Sequence, residues 1–144
     1  MNINRPILLV EDDVVDQKTT ERAFKRLKVT NPLEITQNGL EAIEFLEDPD
    51  KALPCLILLD LNMPRMNGIE FLEIVKNDKD LRRVPVVVLT TSNSEKDVVA
   101  SYNFSVAGYL IKPVAHQGFI DVIRTIDIYW TLCTVPPELE SVVH

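Results

Sequence analysis

The run Cys55-Leu56-Ile57-Leu58-Leu59-Asp60-Leu61-Asn62-Met63-Pro64 decides the fold. Its five leading apolar residues, preceded by Pro54 and closed by a proline-containing turn, describe a short strand buried on both faces, as in the middle of a parallel sheet. The strand ends on Asp60. In open parallel sheets ligands bind beyond the carboxyl ends of the strands, so this carboxylate is expected to face a crevice. Taken alone, an aspartate there would equally cap the turn into Asn62-Met63-Pro64. Its meaning depends on what the other strand ends carry.

Working outward, Ile7-Leu8-Leu9-Val10 is a first buried strand that runs into Glu11-Asp12-Asp13, and Leu33-Glu34-Ile35-Thr36 is a short second one. Val86-Val87-Val88-Leu89 is a β-branched fourth strand ending at Thr90, and Ala107-Gly108-Tyr109-Leu110-Ile111 is a fifth, ending at Lys112-Pro113. Between them the apolar spacing changes to that of helices. Thr20, Ala23, Phe24 and Leu27 share one face of a first helix, which Asn31-Pro32 ends. Gly39, Ala42, Ile43 and Leu46 mark the inner face of a second, and Gly68, Phe71, Leu72 and Val75 that of a third, opened by Asn67. Ser94 can cap a fourth helix carrying Val98, Val99 and Tyr102. A fifth presents Phe119, Val122, Ile123, Ile126, Tyr129 and Trp130 on one stripe.

Strands alternating with helices specify an α/β fold with right-handed crossovers and helices on both faces of the sheet. For five strands and five helices the expected form is flavodoxin-like and doubly wound, a parallel sheet of order 2-1-3-4-5 with its switch point between strands one and three. One domain is expected over residues 1–130, followed by a C-terminal tail over 131–144.

Composition limits the partners. With 46% hydrophobic and 26% charged residues and a formal charge of −7, the 144-residue chain lacks the clustered cations that bind nucleic acid. No apolar stretch approaches the roughly 18 residues that span a bilayer, and the N-terminus carries no signal-peptide apolar region, so a cytoplasmic protein is expected. Cys55 and Cys133 have neither metal-ligand spacing nor partners for a disulfide framework, and both read as free thiols.

The predicted sheet gathers Glu11, Asp12, Asp60, Asn62, Thr90 and Lys112 at one edge. Carboxylates crowded together repel, and a hard divalent cation relieves that repulsion. Mg²⁺ takes oxygen ligands and keeps several waters, so Asp12 and Asp60, with a main-chain carbonyl from Asn62, suit it. Beside such an ion Asp60 becomes a nucleophile toward phosphorus, because carboxylates form acyl phosphates. Lys112 and the Thr90 hydroxyl would then neutralise and hydrogen-bond the transferring group. Each residue has an ordinary explanation singly: acids favoured by a helix dipole, a silent threonine, a solvated lysine. Their joint arrangement at successive strand ends is the signal.

Four pieces carry a resemblance: Leu9-Val10-Glu11-Asp12-Asp13, Leu59-Asp60-Leu61-Asn62-Met63-Pro64 with Gly68, Leu89-Thr90, and Gly108-Tyr109-Leu110-Ile111-Lys112-Pro113. In this order and spacing the chain resembles the receiver domain of two-component response regulators as far as about Trp130. The resemblance implies that Asp60 accepts a phosphoryl group from a sensor histidine kinase, with Mg²⁺ between Asp12 and Asp60. It matches the acidic pair to Glu11 and Asp12 and leaves Asp13 to start the helix. Thr90 matches the switch hydroxyl, Tyr109 the aromatic that turns inward when Thr90 moves, Lys112 the phosphate-binding lysine, and Lys112-Pro113 a cis peptide. Arg83 to Ser92, Asp97 to Tyr102, and an aromatic helix end before a proline-containing tail are further similar to the single-domain response regulators of phytochrome-type sensor kinases.

Alternatives differ in what they require. An aspartyl-phosphate phosphatase needs a second carboxylate two residues after its nucleophile, where this chain has Asn62, so turnover of an external substrate is not expected. A receiver-fold interaction module that has lost phosphorylation would have replaced one of Asp12, Asp60, Thr90 or Lys112, and all four are present. Dinucleotide binding lacks its glycine-rich turn after the first strand. Signalling would therefore run through contacts with a protein target that the residues do not specify. The apolar Ile120, Ile128 and Leu132 fall off the fifth helix's inner stripe. With Val135, Leu139, Val142 and Val143 of the tail, they suggest a homodimer built on helix four, strand five, helix five and the tail.

Overall fold

The structure, a computed structural model, describes residues 5–61, 63, 66–90, 104–112, 117, 118, 120, 121 and 124, with Thr90 described by its backbone. Five strands, β1 (Ile7–Val10), β2 (Leu33–Thr36), β3 (Leu56–Asp60), β4 (Val86–Thr90) and β5 (Gly108–Ile111), form one sheet in the order β2-β1-β3-β4-β5. Every pairing is parallel. This is the flavodoxin-like arrangement, and the chain reverses its direction of travel between β1 and β3.

Three helices are described: α1 (Val14–Arg26), α2 (Gly39–Glu47) and α3 (Gly68–Asn77), with a single 3-10 turn at Leu81–Arg83 before β4. The fourth helix expected from Ser94, the tail and Cys133 lie outside the described residues. Of the expected fifth helix, Gln117, Gly118, Ile120, Asp121 and Arg124 are described and helical, and Ile120 is half-buried.

Alternation along the strands divides the core. Leu8, Val10, Ile57, Leu59, Val86 and Val88 face α2 and α3, where they meet Ala42, Phe45, Leu46, Phe71, Leu72 and Val75. Ile7, Leu9, Leu56, Leu58, Val87 and Leu89 face the other way, against Ala23 and Phe24 of α1. All residues of β1 and β3 are buried, which is why these strands read as unbroken apolar runs. Truncating a side chain such as Leu58 to alanine would cost about 2–5 kcal/mol in lost burial and cavity formation.

Two helix faces differ in detail from expectation. In α2, Phe45 is buried in the core and Ile43 only half-buried against it, because the helix presents its 42-45-46 edge to the sheet. In α1 the inner face begins at Gln17 and ends at Phe24, while Leu27 is the C-cap, half-buried. The chain leaves α1 through Lys28 at φ 58°, and the Val29 N–H donates to the Phe24 carbonyl at 3.0 Å, a left-handed C-terminal closure made without glycine. The third helix matches its expected face at Gly68, Phe71, Leu72 and Val75. Asn67 and Glu70 close its start by reciprocal hydrogen bonds of 3.0 and 3.4 Å.

Candidate functional site

Strand register builds a staircase. Val10 lies opposite Leu59, so the next residues, Glu11 and Asp60, emerge side by side; Asp60 lies opposite Leu89, and Thr90 opposite Ile111, which precedes Lys112. The edge therefore collects Glu11, Asp60, the Thr90 backbone and Lys112. Glu11 is fixed by its main chain: its N–H donates to the Thr36 carbonyl at 2.9 Å, and its carbonyl accepts from the Gln17 side chain at 2.7 Å.

Asp13 has another role. Its carboxylate accepts the N–H groups of Val15 and Asp16 at 2.8 and 3.1 Å, which makes it the N-cap of α1. This leaves Asp12, exposed, with the buried Glu11 and Asp60. Carboxylate oxygens of Glu11, Asp12 and Asp60 all lie within 4.8 Å of one another. They line an open cleft of about 470 Å³ together with residues 13–16 and Lys112.

Lys112 reaches into this cleft from the end of β5. Its ammonium lies 2.7 Å from Glu11 Oε1, 3.1 Å from Asp16 Oδ2 and 3.3 Å from Asp60 Oδ2. Burial would lower its pKa, but the hydrogen bond to Glu11 and the charges of Asp60 and Glu11 more than offset that, and the net shift is upward. Glu11 is pushed up to about 8, first by its burial and then by its hydrogen bond with Asp60, against the opposing pull of Lys112. Burial dominates the Glu11 shift, and the neighbouring Asp60 carboxylate adds to it, while carboxylates raise Lys112.

The donor set fits a hard divalent cation. Glu11 Oε1 is fully buried, and the Lys112 ammonium already sits 2.7 Å from it, so this edge of the cleft is built to hold positive charge. Glu11, Asp12 and Asp60 are all-oxygen donors grouped tightly enough for one ion. Asn62 and the Thr90 side chain lie outside the described residues, as does Pro113. Tyr109 is half-buried and packs against the α2–α3 side of the core.

Two polar residues went unread in the sequence. Asp16 contacts Lys112 from the first turn of α1, and Gln17, buried, holds the Glu11 backbone. Gln17 carried a usable signal, being polar at the helical position three before Thr20. Asp16 carried none, because its partner arrives from the far end of the chain.

Residues 7–124 match the response regulator receiver domain. The chain belongs to that family. This receiver is 39% identical to the response regulator Rcp1 of Synechocystis sp. over 133 residues, 90% of each chain. The solved structure of the bacteriophytochrome response regulator RtBRR superposes with a TM-score of 0.81 at 38% identity, covering 93% of this chain and 84% of the other. The Mn²⁺-bound form of Rcp1 superposes with a TM-score of 0.71 at 40% identity, covering 92% and 97%. Among the described residues, no helix of the receiver is long and apolar enough to cross a membrane.

Proposed function

We propose that this receiver is a single-domain response regulator that takes a phosphoryl group on Asp60 from a sensor histidine kinase of the phytochrome type. It would pass the signal on through protein contacts. The observation that carries the reading is the Asp60 carboxylate: it is 3% exposed at the end of β3, with the Lys112 ammonium at 3.3 Å and two further carboxylates beside it. The likeness to Rcp1 and RtBRR supports the kinase class.

In the transfer, an Asp60 oxygen attacks phosphorus as the phosphorus–nitrogen bond of the donor phosphohistidine breaks. The bonding pair leaves with the imidazole nitrogen, and an acyl phosphate forms. Lys112 neutralises an oxygen of the incoming group, and the Thr90 hydroxyl donates a hydrogen bond to another. Glu11, Asp12, Asp60 and the Asn62 main-chain carbonyl would hold Mg²⁺. When bound, the ion supplies the positive charge that lets phosphoryl oxygens approach this acidic edge. Water later cleaves the acyl phosphate and returns Asp60 to its starting state, so the protein labels itself and turns over no external substrate.

Output would follow from Thr90 moving toward the phosphoryl group and Tyr109 turning inward, a population shift between two arrangements of the surface around β5. Ile111, 43% exposed on that strand, supports a dimer on the same surface, extended by residues 131–144 beyond a domain ending at 130. Sedimentation of the full chain beside a version ending at Trp130 tests the dimer.

Incubation with acetyl phosphate and Mg²⁺ followed by mass measurement tests the central reading. A gain of one phosphoryl group, labile to hydroxylamine and absent from Asp60→Asn, is expected; undiminished labelling of that variant overturns the assignment.

A further inference from the structure

We infer that Asp16 is a positioning residue that sets how the Lys112 ammonium is shared between the metal carboxylates and the phosphoryl group. The inference rests on the phosphoacceptor reading and deepens it.

The ammonium has three hydrogens and three carboxylate neighbours, Glu11, Asp16 and Asp60, at 2.7, 3.1 and 3.3 Å. Two of these belong to the cluster that fits a cation. Asp16 does not: it stands on α1, its side chain 38% exposed, in the lining of the same cleft. Its placement is built into the helix start, because the Asp13 carboxylate accepts its N–H and its carbonyl accepts the Thr20 hydroxyl at 3.0 Å. Asp16 thus pulls the ammonium away from Glu11 and Asp60, where it competes with a metal, and retains it when a phosphoryl group would otherwise take it entirely. Its own negative charge works in the same two directions, attracting the metal and repelling the anion.

Both effects give Asp16→Asn an unambiguous pair of signs. The metal should bind more weakly and the phosphoryl group more tightly. A residue that merely held α1 in place would weaken both together. Because Asp16 is more than a third exposed, the shifts are those of a screened pair, on the order of threefold each, and shrink as salt is raised.

The experiment titrates Mg²⁺ alone into the full chain, then titrates beryllofluoride, a non-covalent phosphoryl analogue, at saturating Mg²⁺. It is run on the wild type, Asp16→Asn, Lys112→Met and the double variant. Expected are a weaker Mg²⁺ affinity and a tighter beryllofluoride affinity for Asp16→Asn, with both shifts reduced when Lys112 is already methionine. Equal affinities, parallel losses, or shifts undiminished by Lys112→Met overturn the role of Asp16 and leave the phosphoacceptor reading intact. A wild type that takes up no Mg²⁺-dependent beryllofluoride brings down both.

Discussion

Gly68 lies against the backbone of Leu61 so closely that a Cβ on it would be 2.6 Å from the Leu61 Cα. The Gly68 N–H also donates to the Leu61 carbonyl at 3.1 Å, which ties the start of α3 to the residue after Asp60. Because the obstructing atom is main chain, no side-chain rotation relieves the clash. Gly68→Ala should lower stability by about 1–3 kcal/mol, the usual cost of overpacking, read as a lower urea midpoint. The displaced turn should also slow labelling of Asp60 by acetyl phosphate.

Asp12 and Asp13 should separate metal binding from folding. Asp13→Ala removes an N-cap that accepts two N–H groups and should cost about 1 kcal/mol of stability, with little change in Mg²⁺ affinity. Asp12→Ala should do the reverse, since its exposed carboxylate joins the cation cluster and the α1 cap belongs to Asp13. Urea melts and metal titrations on both variants check this, and the opposite ranking would place the metal carboxylate one residue later.

The raised Glu11 carboxyl makes metal-free stability depend on pH. Its ordinary value is 4.5 and its folded value about 8, so between them the folded protein holds a proton that the unfolded chain has released. Stability should therefore fall as pH rises from about 4.5 to about 8 and level off above. The upward shift of Lys112 adds stability that is fully present at these pH values and is lost only in strongly alkaline solution. Glu11→Gln should flatten the slope in urea melts taken in chelator. In the wild type, Mg²⁺ should bind more tightly toward pH 8 and expel a proton as it does, visible as a buffer-dependent binding enthalpy.

Lys28 holds a left-handed backbone that favours glycine. Its side chain is exposed, so Lys28→Gly removes the strain without disturbing the core. A gain of up to about 1 kcal/mol in stability, read as a higher urea midpoint, is expected, with phosphorylation kinetics unchanged.

Much of this was legible in the sequence because β1 and β3 are buried on both faces and Leu33–Thr36 is bounded by Pro32 and Asn38. Glu11, Asp60 and Lys112 could be assembled on paper because parallel pairing brings strand ends together regardless of their separation in the chain. Helix faces were less secure. Ile43 and Phe45 are both apolar, and only the angle at which α2 meets the sheet decides which is buried. Asp16 was illegible for a different reason. A long lysine chain can reach any acid around the cleft, and the choice depends on where α1 begins, which Asp13 sets by capping.

The complete burial of β3 between β1 and β4 has a consequence for how a signal leaves the site. Amide protons of 56–60 should be slow to exchange with solvent, so the proposed phosphoacceptor stands on a segment that resists deformation. A strand so clamped does not relay a message by bending. Chemistry at Asp60 must be sensed by groups that come to it, and the sheet offers them from the flank where β5 is an edge strand with half-buried Gly108 and Tyr109 and exposed Ile111. On the proposed reading, Asp60 would serve less as a lever pushed at one end than as a fixed post to which the β5 flank adjusts.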